Sequence, residues 1–222
     1  MNALLVCASP SPGSAELVGR MAPSYDLIIA VDGGGSVCTE AGVIPDLLVG
    51  DFDSLPSVEV DRFIARGVNT LAYPADKDQT DLELALDEAR RQGVDTVTIT
   101  AASSGRLDHT LAVMGAMAAA KDLRPTLMEP DLSAWILTPS WRPSVRLKGS
   151  GATVSVFALT ARATVSATGF RWPLTEAMLG SLSSRGVSNI ITDTAGAMVL
   201  VDEGVALVLS PRVDRAPAVE QP

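Results

Sequence analysis

The chain has 222 residues, 47% of them hydrophobic and 19% charged, which speaks against a disordered chain and allows one large or two small domains. Its formal net charge of −9 excludes a nucleic-acid partner and requires any anionic ligand to be met by a metal ion or by local basic groups. Cys7 and Cys38 have no CxxC spacing, so neither a disulfide framework nor a zinc site is expected.

Residues 3–7 form an apolar run without a basic leader and are expected to be a first strand rather than a signal peptide. No apolar run of about 18 residues follows, so no membrane span is expected and the cytoplasm is the expected compartment. A turn-rich stretch, 9–14, leads to a second apolar run at 27–31, which ends in Asp32-Gly33-Gly34-Gly35. The third run, 47–49, ends in Gly50-Asp51-Phe52-Asp53-Ser54, and residues 70–73 read as a fourth strand. Thr80 and Glu83 stand at capping-box spacing, followed by Leu82, Ala85, Leu86 and Ala89 on one helical face and by Gly93 as a stop. Residues 97–100 predict another strand, and 111–120 an Ala- and Met-rich helix after Arg106-Leu107-Asp108-His109. Strands alternating with helices predict an α/β N-terminal domain with a mainly parallel sheet over 1–130.

The pattern changes after Pro130. Short runs rich in Val, Thr and Ile at 134–137, 153–158, 164–168, 189–192, 197–201 and 205–209 are separated by Gly, Pro and Ser. They predict an all-β, sandwich-like or barrel domain over 131–212, leaving 213–222 as a loose tail.

Acids follow the predicted strands: Asp32, then Asp51 and Asp53, then Asp78 and Asp81 at a helix entrance, then Asp108. Ligands of parallel α/β sheets bind beyond the carboxyl ends of the strands, where these residues would converge. Clustered carboxylates repel, and a hard cation such as Mg²⁺ resolves the repulsion with carboxylate and phosphate oxygens. Each acid taken singly also suits a helix cap or a turn. Gly33 and Gly34 permit close backbone approach, although neither a GxGxxG fingerprint nor a Walker A loop is present. Lys77-Asp78-Gln79-Thr80-Asp81 stands at a helix start suited to anions, with Lys77 as a point charge. Arg106 suits bidentate phosphate contact, and His109 is the one histidine of the sequence. Farther on, Trp172 offers a face for a flat or cationic ring, or fills a core, and Ser188-Asn189 is a polar contact or a turn.

Taken in order, Asp32-Gly33-Gly34, Pro45-Asp46-Leu47-Leu48-Val49-Gly50-Asp51-Phe52-Asp53-Ser54, Tyr73-Pro74, Lys77-Asp78-Gln79-Thr80-Asp81 and Gly105-Arg106-Leu107-Asp108-His109 resemble the motifs of thiamine pyrophosphokinases. Gly169-Phe170-Arg171-Trp172-Pro173-Leu174 and Gly186-Val187-Ser188-Asn189 are similar to that family's C-terminal signatures. The resemblance implies an α/β domain followed by a β-sandwich, and a homodimer with thiamine bound between one subunit's α/β domain and the other's β domain. It implies Asp51, Asp53 and Asp81 as Mg²⁺ ligands. Asp32, Gln79, Thr80, Arg106 and Asp108 would line the ATP and phosphate region, and Trp172, Ser188 and Asn189 would face thiamine. Three departures stand out: Ser103-Ser104 before Gly105, where bacterial relatives tend to carry glycines, Ile190, where they usually carry Glu, and Ser36 at a variable position.

The implied reaction is attack of thiamine's hydroxyl on the β-phosphorus of ATP, with AMP leaving, Lys77 and Arg106 assisting, and Asp81 or Asp108 taking the proton. Two other functions fit part of the pattern. A phosphatase of the haloacid dehalogenase type also places Asp-x-Asp after an apolar strand, and a thiamine- or nucleotide-binding protein without catalysis needs only the binding residues.

Overall fold

The computed structural model describes residues 1–103 and 105–211. Ser104 and the expected tail, 213–222, lie outside the described residues. The chain divides into two compact units, and the second begins at Asp131.

The first unit is built on six strands: β1 (Asn2–Val6), β2 (Leu27–Val31), β3 (Leu47–Gly50), β4 (Asn69–Ala72), β5 (Thr96–Thr100) and β6 (Thr126–Met128). All pair in parallel in the order β6-β5-β1-β2-β3-β4. The central strands are apolar on both faces because helices cover both: Leu4, Leu5, Ile29, Ala30, Leu48 and Val49 are fully buried. Five helices connect them: α1 (Ser14–Met21), α2 (Gly34–Glu40), α3 (Ser57–Ala65), α4 (Asp81–Arg91) and α5 (Leu107–Ala119). Successive connections run outward from β1 to β4, then the chain crosses to β5 on the other side of β1. That reversal is the topological switch point, where the carboxyl ends of neighbouring strands splay apart and leave a crevice.

Helix α4 forms as its sequence dictates. Thr80 Oγ1 accepts from the Glu83 N–H at 3.3 Å, and Glu83 Oε2 accepts from the Thr80 N–H at 2.8 Å, closing the expected capping box. Leu82, Ala85, Leu86 and Ala89 are buried. Gly93, at φ 76°, follows the helix end and lets the chain turn. Helix α2 forms for a different reason, since three of its first turn's residues are small and two are glycines. A Cβ on Gly34 would stand 1.9 Å from the Val6 carbonyl oxygen, so only glycine lets α2 start this close to β1.

The second unit is antiparallel. Its strands are β7 (Leu132–Leu137), β8 (Ser144–Leu147), β9 (Thr153–Ala158), β10 (Arg162–Thr168), β11 (Leu174–Gly180), β12 (Asn189–Ile190), β13 (Ala197–Glu203) and β14 (Ala206–Pro211). One set runs β12-β9-β14-β7 and the other β11-β10-β13-β8. Alternate residues of both point into one apolar cluster that includes Trp135, Val154, Val156, Val165, Leu179, Val199 and Val208. The two sets thus share a core as the layers of a sandwich do, in agreement with the all-β expectation.

Candidate active site

The site forms where β1, β2, β3 and β5 end. An open cavity of about 330 Å³ is lined by Cys7, Ala8 and Ser9 after β1, Asp32 after β2, Thr80, Asp81 and Leu82 at the start of α4, Ala102 after β5, and His109 on α5. Three residues with side chains adopt positive φ at these strand ends: Asp32 (48°), Phe52 (63°) and Ala101 (53°). Such backbone costs about 1–3 kcal/mol each and persists where the surroundings over-determine it.

Asp32, Asp51 and Asp53 each offer a carboxylate oxygen within 4.8 Å of the others. Strand pairing brings them together: the Asp32 N–H donates to the Val49 carbonyl at 2.8 Å, registering the end of β2 on β3. Gly50 adopts φ 152°, and a Cβ there would meet the Asp32 Cβ at 2.9 Å, which accounts for glycine ahead of Asp51. Ser54 Oγ donates to Asp32 Oδ2 and accepts from the Gly33 N–H at 3.2 Å. The Asp53 N–H donates to Asp51 Oδ1 at 3.2 Å. Asp32 Oδ1 is buried without a hydrogen-bond partner. A buried anionic oxygen left unpaired is costly, and a cation is the partner that its chemistry calls for. The all-oxygen donor set fits a hard divalent ion.

Lys77 links this cluster to α4. Its Nζ donates to Asp51 Oδ2 at 3.0 Å and lies 3.1 Å from Asp81 Oδ1, an ion-pair distance without hydrogen-bond alignment. The hydrogen bond from Lys77 holds the Asp51 carboxyl below the usual carboxylate range. Burial pushes Asp81 up, more than the pull of Lys77 lowers it. Burial also lowers Lys77, but its two carboxylates hold it above the ordinary lysine value. The ammonium therefore stays charged and neutralises part of the acidic cluster.

The other expected site residues are distributed around the crevice. Gln79 donates to Asp87 on α4 at 3.0 Å, and Asp78 is exposed. Arg106 and Asp108 pair with each other at 2.6 Å on the exposed start of α5, and the guanidinium brings the Asp108 carboxyl down to about 2. His109 reaches the cavity wall.

In the second unit, Trp172 is 54% exposed, with the Arg171 guanidinium 5.0 Å from the centre of its ring. Asn189 is buried, and both ends of its amide are occupied: Oδ1 accepts from the Trp172 N–H at 3.1 Å, and Nδ2 donates to the Trp172 carbonyl at 2.6 Å. Asn189 thus fixes the backbone that carries the exposed indole. Ser188 takes φ 58°, and its N–H donates to Ser155 Oγ at 3.1 Å. Ile190 contributes backbone, its carbonyl accepting from the Arg171 N–H at 2.8 Å. Ser36, the third departure, donates to Glu59 at 2.9 Å.

Sequence reasoning did not single out Glu129, which is 1% exposed directly after β6. Its carboxylate accepts from the N–H groups of Ala101 at 3.1 Å and Ala102 at 2.8 Å. No spacing or motif marks it. A glutamate closing an apolar strand was the available signal.

Residues 18–128 match the family model described as "Thiamin pyrophosphokinase, catalytic domain", and residues 144–206 match "Thiamin pyrophosphokinase, vitamin B1 binding domain". A thiamine pyrophosphokinase of Bacillus subtilis (strain 168) is 37% identical over 107 residues, 48% of this chain and 50% of the relative. Thiamine pyrophosphokinase 2 of Arabidopsis thaliana is 25% identical over 160 residues, 67% of this chain and 59% of the relative. The chain thus spans between half and three fifths of the length of these curated relatives. Among solved structures, a thiamine pyrophosphokinase from Bacillus subtilis superposes with a TM-score of 0.79 at 23% identity, over 96% of this chain and 100% of that one. One from Candida albicans gives 0.76 at 14% identity, over 95% and 89%. Both share the fold. Among the described residues no helix is long and apolar enough to cross a membrane.

Proposed function

Since the chain belongs to the thiamin pyrophosphokinase family, we propose that it transfers pyrophosphate from ATP to the hydroxyl of thiamine, giving thiamine diphosphate and AMP. The observation that carries this reading is the convergence of Asp32, Asp51 and Asp53 at the switch-point crevice, with Lys77 bridging onward to Asp81. On this reading the first unit is the catalytic domain and the second the thiamine-binding domain.

Asp51 and Asp53, with Asp32 beside them and Asp81 across Lys77, would hold Mg²⁺. The bound ion would neutralise charge developing on the phosphate oxygens. Everything else falls to side chains and backbone. Gly33 and Gly34 let α2 start hard against β1 and Ser54, and their backbone would border the nucleotide. Asp78, Gln79 and Thr80 border the α4 N-terminus, whose free N–H groups favour a phosphate. Lys77 and Arg106 supply positive charge along the triphosphate, Arg106 by leaving its present partner Asp108. His109 closes the cavity on the α5 side. Trp172 presents an indole face to the thiamine ring system, held by Asn189, with Ser188 at its side.

In the transfer, the thiamine hydroxyl oxygen forms a bond to the β-phosphorus as the bond from that phosphorus to the oxygen of AMP breaks. The hydroxyl proton passes to a carboxylate. Asp81 lines the cavity and Asp108 does not, so Asp81 is the assigned acceptor.

Apolar side chains left at the surface, Leu107 and Leu111 on α5 and Met178 and Leu182 in the second unit, support assembly as a homodimer. We place the reaction in the cytoplasm, where ATP is available.

The test is to incubate the protein with ATP, thiamine and Mg²⁺, with and without EDTA, and to quantify products by chromatography. Equal amounts of AMP and thiamine diphosphate, abolished by EDTA, are expected. Phosphate release from monoesters without AMP would assign a phosphatase instead, and thiamine binding without products would assign a binding protein.

A further inference from the structure

The loop that follows β5 leads to Arg106, one of the residues proposed to meet the triphosphate, yet nothing in its own sequence stiffens it. Ala101, at φ 53°, holds a left-handed conformation that alanine avoids when left to itself. Two contacts impose it. The Ala101 carbonyl accepts from the Ser9 N–H at 2.7 Å, and the Ala101 N–H donates to Glu129 Oε2 at 3.1 Å. The adjacent Ala102 N–H donates to Glu129 Oε1 at 2.8 Å, and Ser103 adds hydrogen bonds from its backbone and side chain.

Successive N–H groups converging from a turn make a concave anion site, the arrangement that other folds turn toward a phosphate. In this chain the anion is internal. Glu129 is 1% exposed and directly follows the neighbouring strand β6, so the N–H groups of 101 and 102 are directed at a buried carboxylate. Ala102 and Ser9, the outer faces of the same clamp, line the cavity with Asp32, Asp81 and His109. A few residues onward the chain enters α5 with Arg106 as its N-cap.

We propose that Glu129 is a positioning residue for the nucleotide. Its carboxylate fixes the backbone of 101–103 and thereby sets where Arg106 and the start of α5 stand relative to the acidic cluster. The N–H groups it occupies are withdrawn from phosphate binding, which leaves the triphosphate to Lys77, Arg106 and the start of α4. This rests on the reading of the crevice as an ATP site.

Glu129→Gln tests it with little change in volume. The amide keeps one acceptor but turns an NH₂ donor toward backbone N–H groups, so part of the clamp must open. The readouts are affinity for a non-hydrolysable ATP analogue with Mg²⁺, affinity for thiamine, and the KM for ATP against that for thiamine. Folding is checked by circular dichroism and melting. We expect folded Glu129→Gln to bind the ATP analogue at least about tenfold more weakly, with thiamine affinity unchanged within about twofold. Glu129→Asp, which keeps the charge but draws it back by one methylene, is expected to recover part of the loss. It carries the comparison with wild type if the glutamine variant does not fold. A folded variant with wild-type affinity for the analogue, or with both affinities reduced alike, overturns the proposal. If the wild-type protein does not bind the analogue at all, the ATP reading itself fails, an outcome distinct from an unaltered variant.

Discussion

Asp51 accepts from Lys77 while its other oxygen orders the backbone of Asp53, so this carboxylate joins the two halves of the acidic cluster. Replacing it with asparagine removes one anionic oxygen without changing shape. Outer-shell changes at metal sites cost about 10–100-fold in metal affinity or activity, and a direct ligand costs at least that. Asp51→Asn is therefore expected to lower turnover by about 100-fold or more in a protein that still folds. Wild-type turnover in a folded variant would remove Asp51 from the ligand set. At this scale the sequence was partly legible. Asp51 and Asp53 stand directly after an apolar strand, a position that carries meaning in parallel sheets. The part played by Asp32 was harder to read, because its contact with Ser54 joins residues 22 positions apart. The amide of Asn189 reads as a polar contact to a ligand but is spent on the Trp172 backbone, a pairing across 17 positions. Glu129 was invisible for the same reason, since its partners lie 27 and 28 positions away.

Helix α4 was the most legible element, because its cap, its apolar face and its stop are all local signals. Thr80→Ala deletes the capping oxygen, and such changes cost about 0.5–2 kcal/mol. Urea unfolding should show that loss, and an unchanged midpoint would mean that the cap contributes nothing in this setting. Near the other end of α4, Arg90 makes a two-pronged pair with Asp122, at 2.7 and 2.8 Å. The hydrogen bond from Arg90 lowers the folded-state pKa of Asp122 below its ordinary 3.8. A depressed carboxylate stabilises the fold at pH values above its unfolded pKa, and that contribution fades as pH falls toward the folded one. Asp122→Asn should thus be less stable than wild type near pH 6, by about 0.5–1 kcal/mol for a pair screened by solvent. The gap should close as pH drops below 3.8. A gap independent of pH would mean that the charge is not involved. Other elements were legible only through tertiary context. Strand β11 reads Leu-Thr-Glu-Ala-Met-Leu-Gly, a composition that favours helix, yet it pairs along β10. Helix α2 begins inside a glycine run, where propensity argues against any helix.

For the molecule as a whole, the change of pattern near Pro130 was visible because hydrophobic periodicity changes from one unit to the next. The order of strands was not visible, since a crossover to the far side of β1 leaves no mark in local sequence. That crossover opens the crevice in which the acids, Lys77 and the loop held by Glu129 meet. The account's central claim is that this crevice moves a pyrophosphate group intact from ATP to thiamine. It is tested most directly by supplying ATP labelled with ³²P at the γ position, together with thiamine and Mg²⁺, and locating the label after a short reaction. The account predicts label in thiamine diphosphate, in amounts equal to unlabelled AMP formed. Label recovered as free phosphate, with ADP in place of AMP and no labelled thiamine ester, would contradict it.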